Sequence, residues 1–290
     1  MAKTLIIGAS GKVGSKVVQE LERDHSDLEV VLATSRQETA DKWNAAGKAA
    51  VVLDLNNPDT FPKALEGIDR LFLLTGYTAE MLIQAKMMVD AAKDAGVGFI
   101  VHLGTYTSRR DPIPHFNWHD LIESYIAASG IKWTNVHPNV ITDSTLPMIE
   151  VKEEAVNFTT WGDVPQGYAC TKDIGEVVGT VLREGPEKHA GKDYYLSIDV
   201  LTGSQMADLI SEVTGKPVNV HYQTIEEMKA MFDMIPSNQI RAYMDSAMIC
   251  AKLTQEQKFK AQTAICDDVL TVTGHPGTTM RDWMIENLVN

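Results

Sequence analysis

Short apolar runs alternate with longer segments of helical period along the first half of the chain. Six such runs precede residue 139, at residues 4–7, 29–34, 50–53, 70–75, 99–103 and 133–136. They are apolar at nearly every position, which is typical of strands that are buried on both faces. The alternation of such strands with helices predicts a doubly wound α/β fold, in which a parallel sheet is covered by helices on both sides.

The segment between the fourth and fifth runs has a hydrophobic period of three and four residues. This spacing predicts one buried stripe along a helix. The methionines in the stripe are expected to fill the core. The stripe consists of Met81, Leu82, Ala85, Met88, Val89 and Ala92.

After about residue 138 the pattern loosens, and residues 139–163 predict loops with one short strand on the substrate side. Order returns with predicted helices at 172–183 and 204–214, predicted strands at 194–198 and 218–222, and helical patterns at 225–253 and 279–288. We therefore expect a Rossmann domain over residues 1–138 and a smaller C-terminal α/β substrate domain over residues 139–290. Some elements of the second are expected to interleave with the first.

Composition and charge exclude several classes of protein. The 290 residues carry 39 acidic and 26 basic side chains without a Lys/Arg run, so no nucleic-acid partner is expected. No apolar run approaches the length needed to cross a bilayer, and the chain starts without a signal-peptide pattern, which predicts a cytoplasmic protein. The three cysteines, Cys170, Cys250 and Cys266, are widely spaced, which disfavours a disulfide framework or a metal site.

A glycine-rich turn follows the first predicted strand. Gly8, Gly11 and Gly14 have GxxGxxG spacing and lead directly into a predicted helix. The first glycine permits the tight turn, the second lets the backbone approach a pyrophosphate, and the third lets the helix pack close to the strand. The free N–H groups of the helix then face the phosphates. Ser10, Lys12 and Val13 belong to the same predicted cofactor site, although the glycines also suit a purely structural turn.

The end of the second predicted strand favours NADP(H) over NAD(H). Ser35-Arg36 stands where an NAD site usually has a carboxylate for the ribose hydroxyls. A guanidinium at that place pairs with a 2′-phosphate, and Lys12 supplies a second cation. The alternative is that Arg36 and Lys12 are solvated surface residues, and NAD(H) stays possible.

Further cofactor contacts are expected along the carboxyl ends of the later strands, where ligands of open α/β sheets lie. Asp54-Leu55 follows the third strand, where Asp54 either accepts a hydrogen bond from the adenine amino group or caps the next turn. The fourth strand ends at Leu74, Thr75 and Gly76, and the fifth ends at Gly104 and Thr105.

In these motifs the chain resembles the NmrA-like branch of the atypical short-chain dehydrogenases, which includes triphenylmethane and quinone reductases and, more distantly, isoflavone reductases. The resemblance rests on the glycine turn, Ser35-Arg36, Asp54-Leu55, the block from Asn117 to Asn139 and the stretch Lys172-Asp-Ile-Gly-Glu-Val-Val. It implies an NADP(H) cofactor, a nicotinamide pocket lined by Pro138-Asn139, and a substrate wall from the C-terminal region.

The sequence departs from the wider superfamily at the catalytic pair. A Tyr-x-x-x-Lys pair is absent from the expected helix, and Tyr106 is followed four residues later by Arg110. His119 stands where the isoflavone-reductase-like branch has lysine. We therefore take His119 and Tyr106 as catalytic candidates, because imidazole exchanges a proton near neutral pH. Each residue also has a structural alternative: for His119 it is a helix-face histidine that hydrogen-bonds a neighbour, and for Tyr106 it is packing in the core. His115 and His119 lie one turn apart, but two imidazoles without a third ligand make a poor metal site.

Two functions from different classes fit these residues. The first is an NADPH-dependent reductase of a small conjugated or aromatic acceptor such as a quinone, enone, imine or dye-like cation. The second is a non-catalytic NADP(H)-binding redox sensor that acts through a protein partner, which would explain the absent catalytic pair. A homodimer is possible in either case. Candidate acceptor contacts in the first function are Tyr106, Asn139, Trp161 and Tyr168, although core packing is the favoured role for the last two.

Overall fold

The computed structural model describes residues 2–23, 28–107 and 111–289. The strands in this part of the chain are β1 (Ala2–Ile6), β2 (Leu28–Thr34), β3 (Ala50–Val52), β4 (Arg70–Leu73), β5 (Phe99–Leu103), β6 (Lys132–Pro138), β7 (Val140–Ile141), β8 (Ile149–Val151), β9 (Val156–Thr160), β10 (Gln166–Ala169), β11 (Lys192–Ser197), β12 (Asp199–Leu201), β13 (Val218–Tyr222) and β14 (Cys266–Asp267). The helices are α1 (Lys12–Arg23), α2 (Gln37–Ala45), α3 (Phe61–Ala64), α4 (Met81–Asp94), α5 (Pro114–Ser129), α6 (Thr171–Glu184), α7 (Pro186–His189), α8 (Gly203–Thr214), α9 (Ile225–Asp233), α10 (Arg241–Gln255), α11 (Asp268–Thr273) and α12 (Met280–Met284).

An eight-stranded sheet forms the centre of the molecule, in the order β3-β2-β1-β4-β5-β6-β11-β14. Neighbouring strands run parallel throughout except at β14, which pairs antiparallel with β11. The reversal of strand order beside β1 is the Rossmann arrangement, with a crevice at the carboxyl ends of β1 and β4. The predicted doubly wound α/β fold is confirmed.

Two apolar layers cover the sheet. Side chains of α1 and α6 pack on one face of the sheet, from β2 to β11, and side chains of α3, α4 and α5 pack on the other face, chiefly against β1, β2, β4 and β5. The predicted stripe of α4 is buried at Met81, Ala85, Met88, Val89 and Ala92, but Leu82 is 39% exposed, which corrects its assignment to the core. Leu82 follows Met81 directly, so it lies about 100° around the helix and faces outward.

The second half is more regular than predicted. Residues 139–163 hold three short strands, β7, β8 and β9, where we expected one, and these join two small sheets, β12-β10-β7 and β13-β9-β8. The helical pattern at 225–253 is also interrupted, because α9 ends at Asp233 and α10 begins at Arg241. Pro236 lies between them, and a proline without an N–H cannot continue a helix interior.

Strand β11 and helix α6 were expected in the smaller C-terminal region, but they belong to the main sheet and its helical layer. β11 pairs with β6 from Lys192–Thr134 to Leu196–Pro138, and α6 packs against α1. Sequence order does not reveal which sheet a strand joins. The division at residues 138/139 therefore stays a prediction. Within the described ranges, every helix is too short or too polar to cross a membrane.

Candidate functional site

The glycine turn between β1 and α1 is shaped by close backbone approach. Gly8 has a φ of +71°, and a side chain there would come within 2.7 Å of Leu74 Cδ2. The Gly11 N–H donates to the Gly8 carbonyl over 2.8 Å, and a Cβ at Gly14 would overlap that carbonyl. Val13 and Gly14 are buried, whereas Ser10 and Gly11 are exposed. The turn therefore leaves an open cradle at the start of α1, which fits a pyrophosphate.

Two cations flank this cradle without a carboxylate partner among the residues the structure describes. Lys12 is exposed, and its Nζ lies 3.4 Å from the carbonyl oxygen of Asp143. Arg36 is exposed at the start of α2, next to the exposed Ser35, and only its backbone N–H donates, to Thr34 Oγ1. Uncompensated cations beside a helix N-terminus fit the additional phosphate of NADP(H).

The third strand ends in a turn that uses Asp54. Its Oδ1 accepts a hydrogen bond from the Asn56 N–H at 2.9 Å, and its own N–H donates to Thr60 Oγ1 at 3.0 Å. The turn-capping alternative is thus present in the structure, and the adenine contact stays a prediction. The neighbouring Leu55 is partly buried against the apolar cluster under α4 and α5.

The carboxyl ends of β4, β5 and β6 lie side by side, as the cofactor prediction requires. Leu74 and Thr75 are partly buried and Gly76 is exposed, and Thr75 Oγ1 is buried without a hydrogen-bond partner in the described part of the chain. The segment after β5 is tied to β6, because the Tyr106 N–H donates to the Pro138 carbonyl over 2.9 Å.

Tyr106 lies at the junction of β11 and β14. Its hydroxyl is 3.4 Å from Cys266 Sγ, and its ring contacts Tyr195 edge-on with centroids 5.2 Å apart. Burial raises the pKa of the phenol well above its ordinary value, and the contact with Cys266 adds to the effect. Tyr106 therefore stays protonated at neutral pH. The residue four positions later, Arg110, lies outside the described residues.

His119 is buried inside the molecule, with 4% of its surface exposed. Its Nε2 is 3.1 Å from the Tyr77 hydroxyl, while Nδ1 has no hydrogen-bond partner within the described ranges. Burial and the neighbouring His102, His115 and His137 hold its pKa well below the ordinary value. His119 is therefore a neutral imidazole at physiological pH, and not a cationic acid.

His115 packs against the same tyrosine one helical turn earlier on α5. Both imidazoles meet the Tyr77 ring edge-on, and His115 Nδ1 is 2.6 Å from Ser246 Oγ. Burial lowers the pKa of His115 to about 4. A group of three or more metal-ligating side chains does not occur in the part of the chain that the structure describes.

The predicted substrate-wall residues have different surroundings. Asn139 donates from Nδ2 to Ser197 Oγ at 3.2 Å, and it precedes β7, which pairs with β10 at Tyr168. Tyr168 is 7% exposed and packs in the core of the small sheets, which favours its packing role. Trp161 is partly buried, and its carbonyl accepts a hydrogen bond from Gln255 Nε2 at 2.7 Å.

The structure also brings together four titratable side chains that the sequence analysis did not select, namely His102, Glu123, His137 and Asp193. His137 Nε2 donates to Asp193 Oδ1 at 2.9 Å, and its Nδ1 donates to the Thr105 carbonyl at 3.2 Å. Glu123 Oε1 is 3.6 Å from His137 Nδ1 and 3.7 Å from His102 Nδ1. The available signal was a pair of polar residues at alternate positions, Asn135 inside the predicted buried strand and His137 directly after it.

Burial and charge shift the pKa values of this group in opposite directions. Burial raises the pKa of Glu123 to about 7, against the opposing effect of His137. Burial also lowers the pKa of His102 to about 3. Burial depresses the pKa of His137 too, but the hydrogen bond to Asp193 and the charge of Glu123 outweigh it, so the net pKa is above the ordinary value. His137 is thus the favoured place for a positive charge.

Comparisons with known proteins agree with this architecture. The sequence model that defines the NmrA-like family matches residues 1–271 of this chain. The chain is 25% identical over 283 residues to NAD(P)H azoreductase of Xenophilus azovorans and 24% identical over 283 residues to quinone oxidoreductase 2 of Escherichia coli, covering 96% of each chain in both cases. The solved structure of Citrobacter sp. triphenylmethane reductase complexed with NADP(H) superimposes with a TM-score of 0.80 at 22% identity, covering 99% of this chain and 100% of the other.

Proposed function

Because this chain belongs to the NmrA-like family, we propose that it is an NADPH-dependent oxidoreductase that reduces a small conjugated or aromatic acceptor. The observation that carries the proposal is the glycine cradle at the start of α1 with Lys12 and Arg36 beside it, neither paired with a carboxylate among the described residues. A dinucleotide with an extra phosphate supplies the negative charge that this arrangement lacks.

We propose a conjugated two-electron acceptor because two relatives of this chain reduce compounds of that class. One is an azoreductase and one is a quinone oxidoreductase, and both match over nearly the whole chain. Azo compounds and quinones are flat, conjugated acceptors of two electrons. We propose an acceptor of this type, bound near Asn139 and Tyr106, where the carboxyl ends of β5 and β6 meet β7.

Bound NADPH supplies a hydride to the acceptor. The chain itself orients the dinucleotide along the carboxyl edge, from the glycine turn past Leu74 and Thr75 to Gly104 and Pro138. Tyr106, which burial keeps protonated, offers a hydrogen bond without ionising. A Tyr-Lys pair is then dispensable, provided that a proton reaches the acceptor by another route.

The first test is NADPH consumption across quinones, azo compounds, enones, imines, aldehydes and triarylmethane dyes. We expect turnover with a quinone or an azo compound. A protein that binds NADPH, as judged by its fluorescence, but reduces none of these acceptors would be a redox sensor instead. Failure to bind NADPH and NADH would contradict both functions.

The second test concerns the 2′-phosphate. We expect Arg36→Ala to raise the Kd for NADPH about tenfold and to leave the Kd for NADH unchanged, since a charge-assisted contact with phosphate is lost only in the first case. Lys42→Ala is the matched control, because Lys42 is also exposed on α2 but is already paired with Glu38. Equal weakening of both nucleotides by Arg36→Ala would contradict the assignment.

We also propose three features that do not concern the site itself, namely the kind of acceptor, the location of the protein and its oligomeric state. The acceptor is a small molecule and not a nucleic acid, the protein is cytoplasmic, and it forms a homodimer. Sedimentation of the purified protein tests the last of these.

A further inference from the structure

Beneath the proposed nicotinamide site, one face of the central sheet carries a stripe of buried polar side chains. His102 on β5 lies opposite Asn135 on β6, and Asn135 lies opposite Asp193 on β11. His102, Asn135 and His137 are at most 3% exposed, although parallel strands in such a sheet are normally apolar on both faces. Helix α5 covers the stripe and contributes His119 and Glu123. Burying so many polar groups lowers the stability of the fold unless they are hydrogen-bonded, which indicates that the stripe has a function.

The outer end of the stripe reaches solvent at Asp193, whose side chain is 38% exposed. Its Oδ1 accepts hydrogen bonds from His137 Nε2 and from Asn135 Nδ2, both at 2.9 Å. His137 donates from its other nitrogen to the Thr105 carbonyl at 3.2 Å. An imidazole that donates from both nitrogens is protonated, so His137 holds a proton that solvent can replace through Asp193.

The centre of the stripe is the carboxyl group of Glu123. Its Oε1 is buried without a hydrogen-bond partner among the described residues, and it lies 3.6 and 3.7 Å from the Nδ1 atoms of His137 and His102. These separations are only slightly longer than a hydrogen bond, so a small side-chain rotation closes them. Gly104 leaves room for the carboxyl group, since a Cβ there would lie 2.5 Å from Oε1 and 3.0 Å from His137 Nδ1.

The inner end of the stripe reaches the cofactor edge. Both nitrogens of His102 and Nδ1 of His119 are buried without partners in the described part of the chain, and the two rings lie 5.5 Å apart. His119 Nε2 lies 3.1 Å from the Tyr77 hydroxyl. Tyr77 directly follows Thr75 and Gly76, where β4 ends. The unpartnered atoms therefore lie between a solvent-exposed carboxylate and a hydroxyl of the segment that follows β4.

We propose that these side chains form a buried proton path that leads from solvent to the acceptor pocket and delivers the proton that accompanies hydride transfer. The path runs through Asp193, His137, Glu123, His102, His119 and Tyr77. It rests on the proposed reductase function. With a quinone, one hydride from bound NADPH and one proton from the Tyr77 hydroxyl convert the acceptor to the hydroquinone. His119 returns the proton to Tyr77, the vacancy moves outward, and solvent refills it at Asp193.

The charges along the path suit this transfer. Glu123 faces His137 on β6, His102 on β5, Asp193 on β11 and Asp120 on its own helix. Burial and the two aspartates raise the pKa of Glu123 to about 7, while His137 opposes them. The carboxyl group therefore gains and loses a proton near neutral pH. Neutral His102 and His119 each have one nitrogen to accept and one to donate, as a relay needs.

The first experiment uses the cofactor-free protein and does not depend on turnover. Imidazole nitrogen NMR follows the titration of His137 in the wild type and in Glu123→Gln. We expect the glutamine variant to lower the pKa of His137, because the charge of Glu123 helps to hold its proton. Glu184→Gln is the matched control, since Glu184 pairs with the buried His189 at the opposite edge of the sheet. An unchanged His137 titration in Glu123→Gln would overturn the path.

The second experiment compares two acceptors. A quinone needs a proton with the hydride, whereas a cationic triarylmethane dye is neutralised by the hydride alone. We expect Glu123→Gln and Tyr77→Phe to lower the kcat for the quinone about 100-fold, at the low end of general-acid effects, with the KM for NADPH and the dye reaction unchanged. Glu123→Asp should recover part of the quinone rate, and Glu184→Gln should match the wild type.

The outcomes separate the path from the function on which it rests. Equal slowing of quinone and dye, or an unslowed quinone reaction, would overturn the path while the reductase function stands. A wild type that reduces no acceptor would overturn the function itself. Loss of the pH dependence near 7 in the quinone rate of Glu123→Gln is the result that a merely structural glutamate would not give.

Discussion

Two buried histidine–carboxylate clusters lie beside β6 and β11, and they differ: one surrounds His189 at the amino edge of the sheet, and the other surrounds Glu123 at the carboxyl ends of β5 and β6. At the amino edge, His189 is 2% exposed and is fully paired, with Nδ1 2.7 Å from the Tyr194 hydroxyl and Nε2 2.7 Å from Glu184 Oε2. Thr134 on β6 donates to its carbonyl at 2.6 Å. At the carboxyl edge, the cluster around Glu123 leaves several buried polar atoms without partners.

This difference distinguishes structural polar groups from functional ones. Buried polar atoms are nearly always hydrogen-bonded, so a group of exceptions in one place needs an explanation. Ten such exceptions occur among the described side chains, and five of them belong to His102, His119, Glu123 and Asn135. In open α/β sheets, ligands bind at the carboxyl edge. The amino-edge cluster is fully hydrogen-bonded at His189, whereas the carboxyl-edge cluster holds half of these unpartnered buried atoms, at the edge where the proposed cofactor binds.

The largest predicted effect is on the pH dependence of stability. The pKa of Glu123 is about 7 in the folded protein against an ordinary 4.5, so the folded state keeps a proton that the unfolded state releases. The contribution of Glu123 to the free energy of unfolding should therefore fall by about 3 kcal/mol as the pH rises from 4.5 to 7. Glu123→Gln removes this term, so urea unfolding should show it gaining stability relative to the wild type across that range.

The amino-edge cluster provides the control with the opposite sign. Burial raises the pKa of Glu184, but hydrogen bonds from Lys188 and His189 outweigh it, so the net pKa is lowered. The stabilisation that the Glu184 carboxylate provides is present above the ordinary pKa of glutamate and is lost as the pH falls through the lowered pKa. Glu184→Gln should thus lose stability relative to the wild type at neutral pH. If both variants changed stability in the same direction at pH 8, the distinction between the clusters would be wrong.

The next effect concerns two glycines, one beside each cluster. We expect Gly104→Ala to cost about 2 kcal/mol, as overpacking does, because the new methyl group meets Glu123 Oε1 and His137 Nδ1. Gly191→Ala, near the amino edge, meets no atom within 4 Å, but Gly191 has a φ of +73°, so a loss of about 1 kcal/mol is expected. Urea unfolding measures both values. Only Gly104→Ala should also slow quinone reduction, and equal kinetics for the two variants would argue against the path.

The sequence predicts the sheet and the cofactor turn well, because both depend on local pattern. Apolar runs locate the first six strands, and the spacing of Gly8, Gly11 and Gly14 requires a strand before it and a helix after it. The sequence analysis did not predict the carboxyl-edge cluster of His102, Glu123, His137 and Asp193, although it selected His119 beside it. Its members come from β5, β6, β11 and α5, and only the sheet order brings Asp193 next to His137. No local pattern indicates that β11, 54 residues after β6, returns to pair with it.

The smallest effect tests whether the amino-edge cluster is purely structural. Tyr194→Phe removes the hydroxyl that meets His189 Nδ1 and leaves the ring in the core. The free energy of unfolding should fall by about 1 kcal/mol, the net value of one buried hydrogen bond. NADPH affinity and quinone turnover should not change, because the lost contact lies at the edge away from the cofactor. A change in the pH profile of turnover would mean that protons also enter from the amino edge, and Asp193 would then not be the outer end of the path.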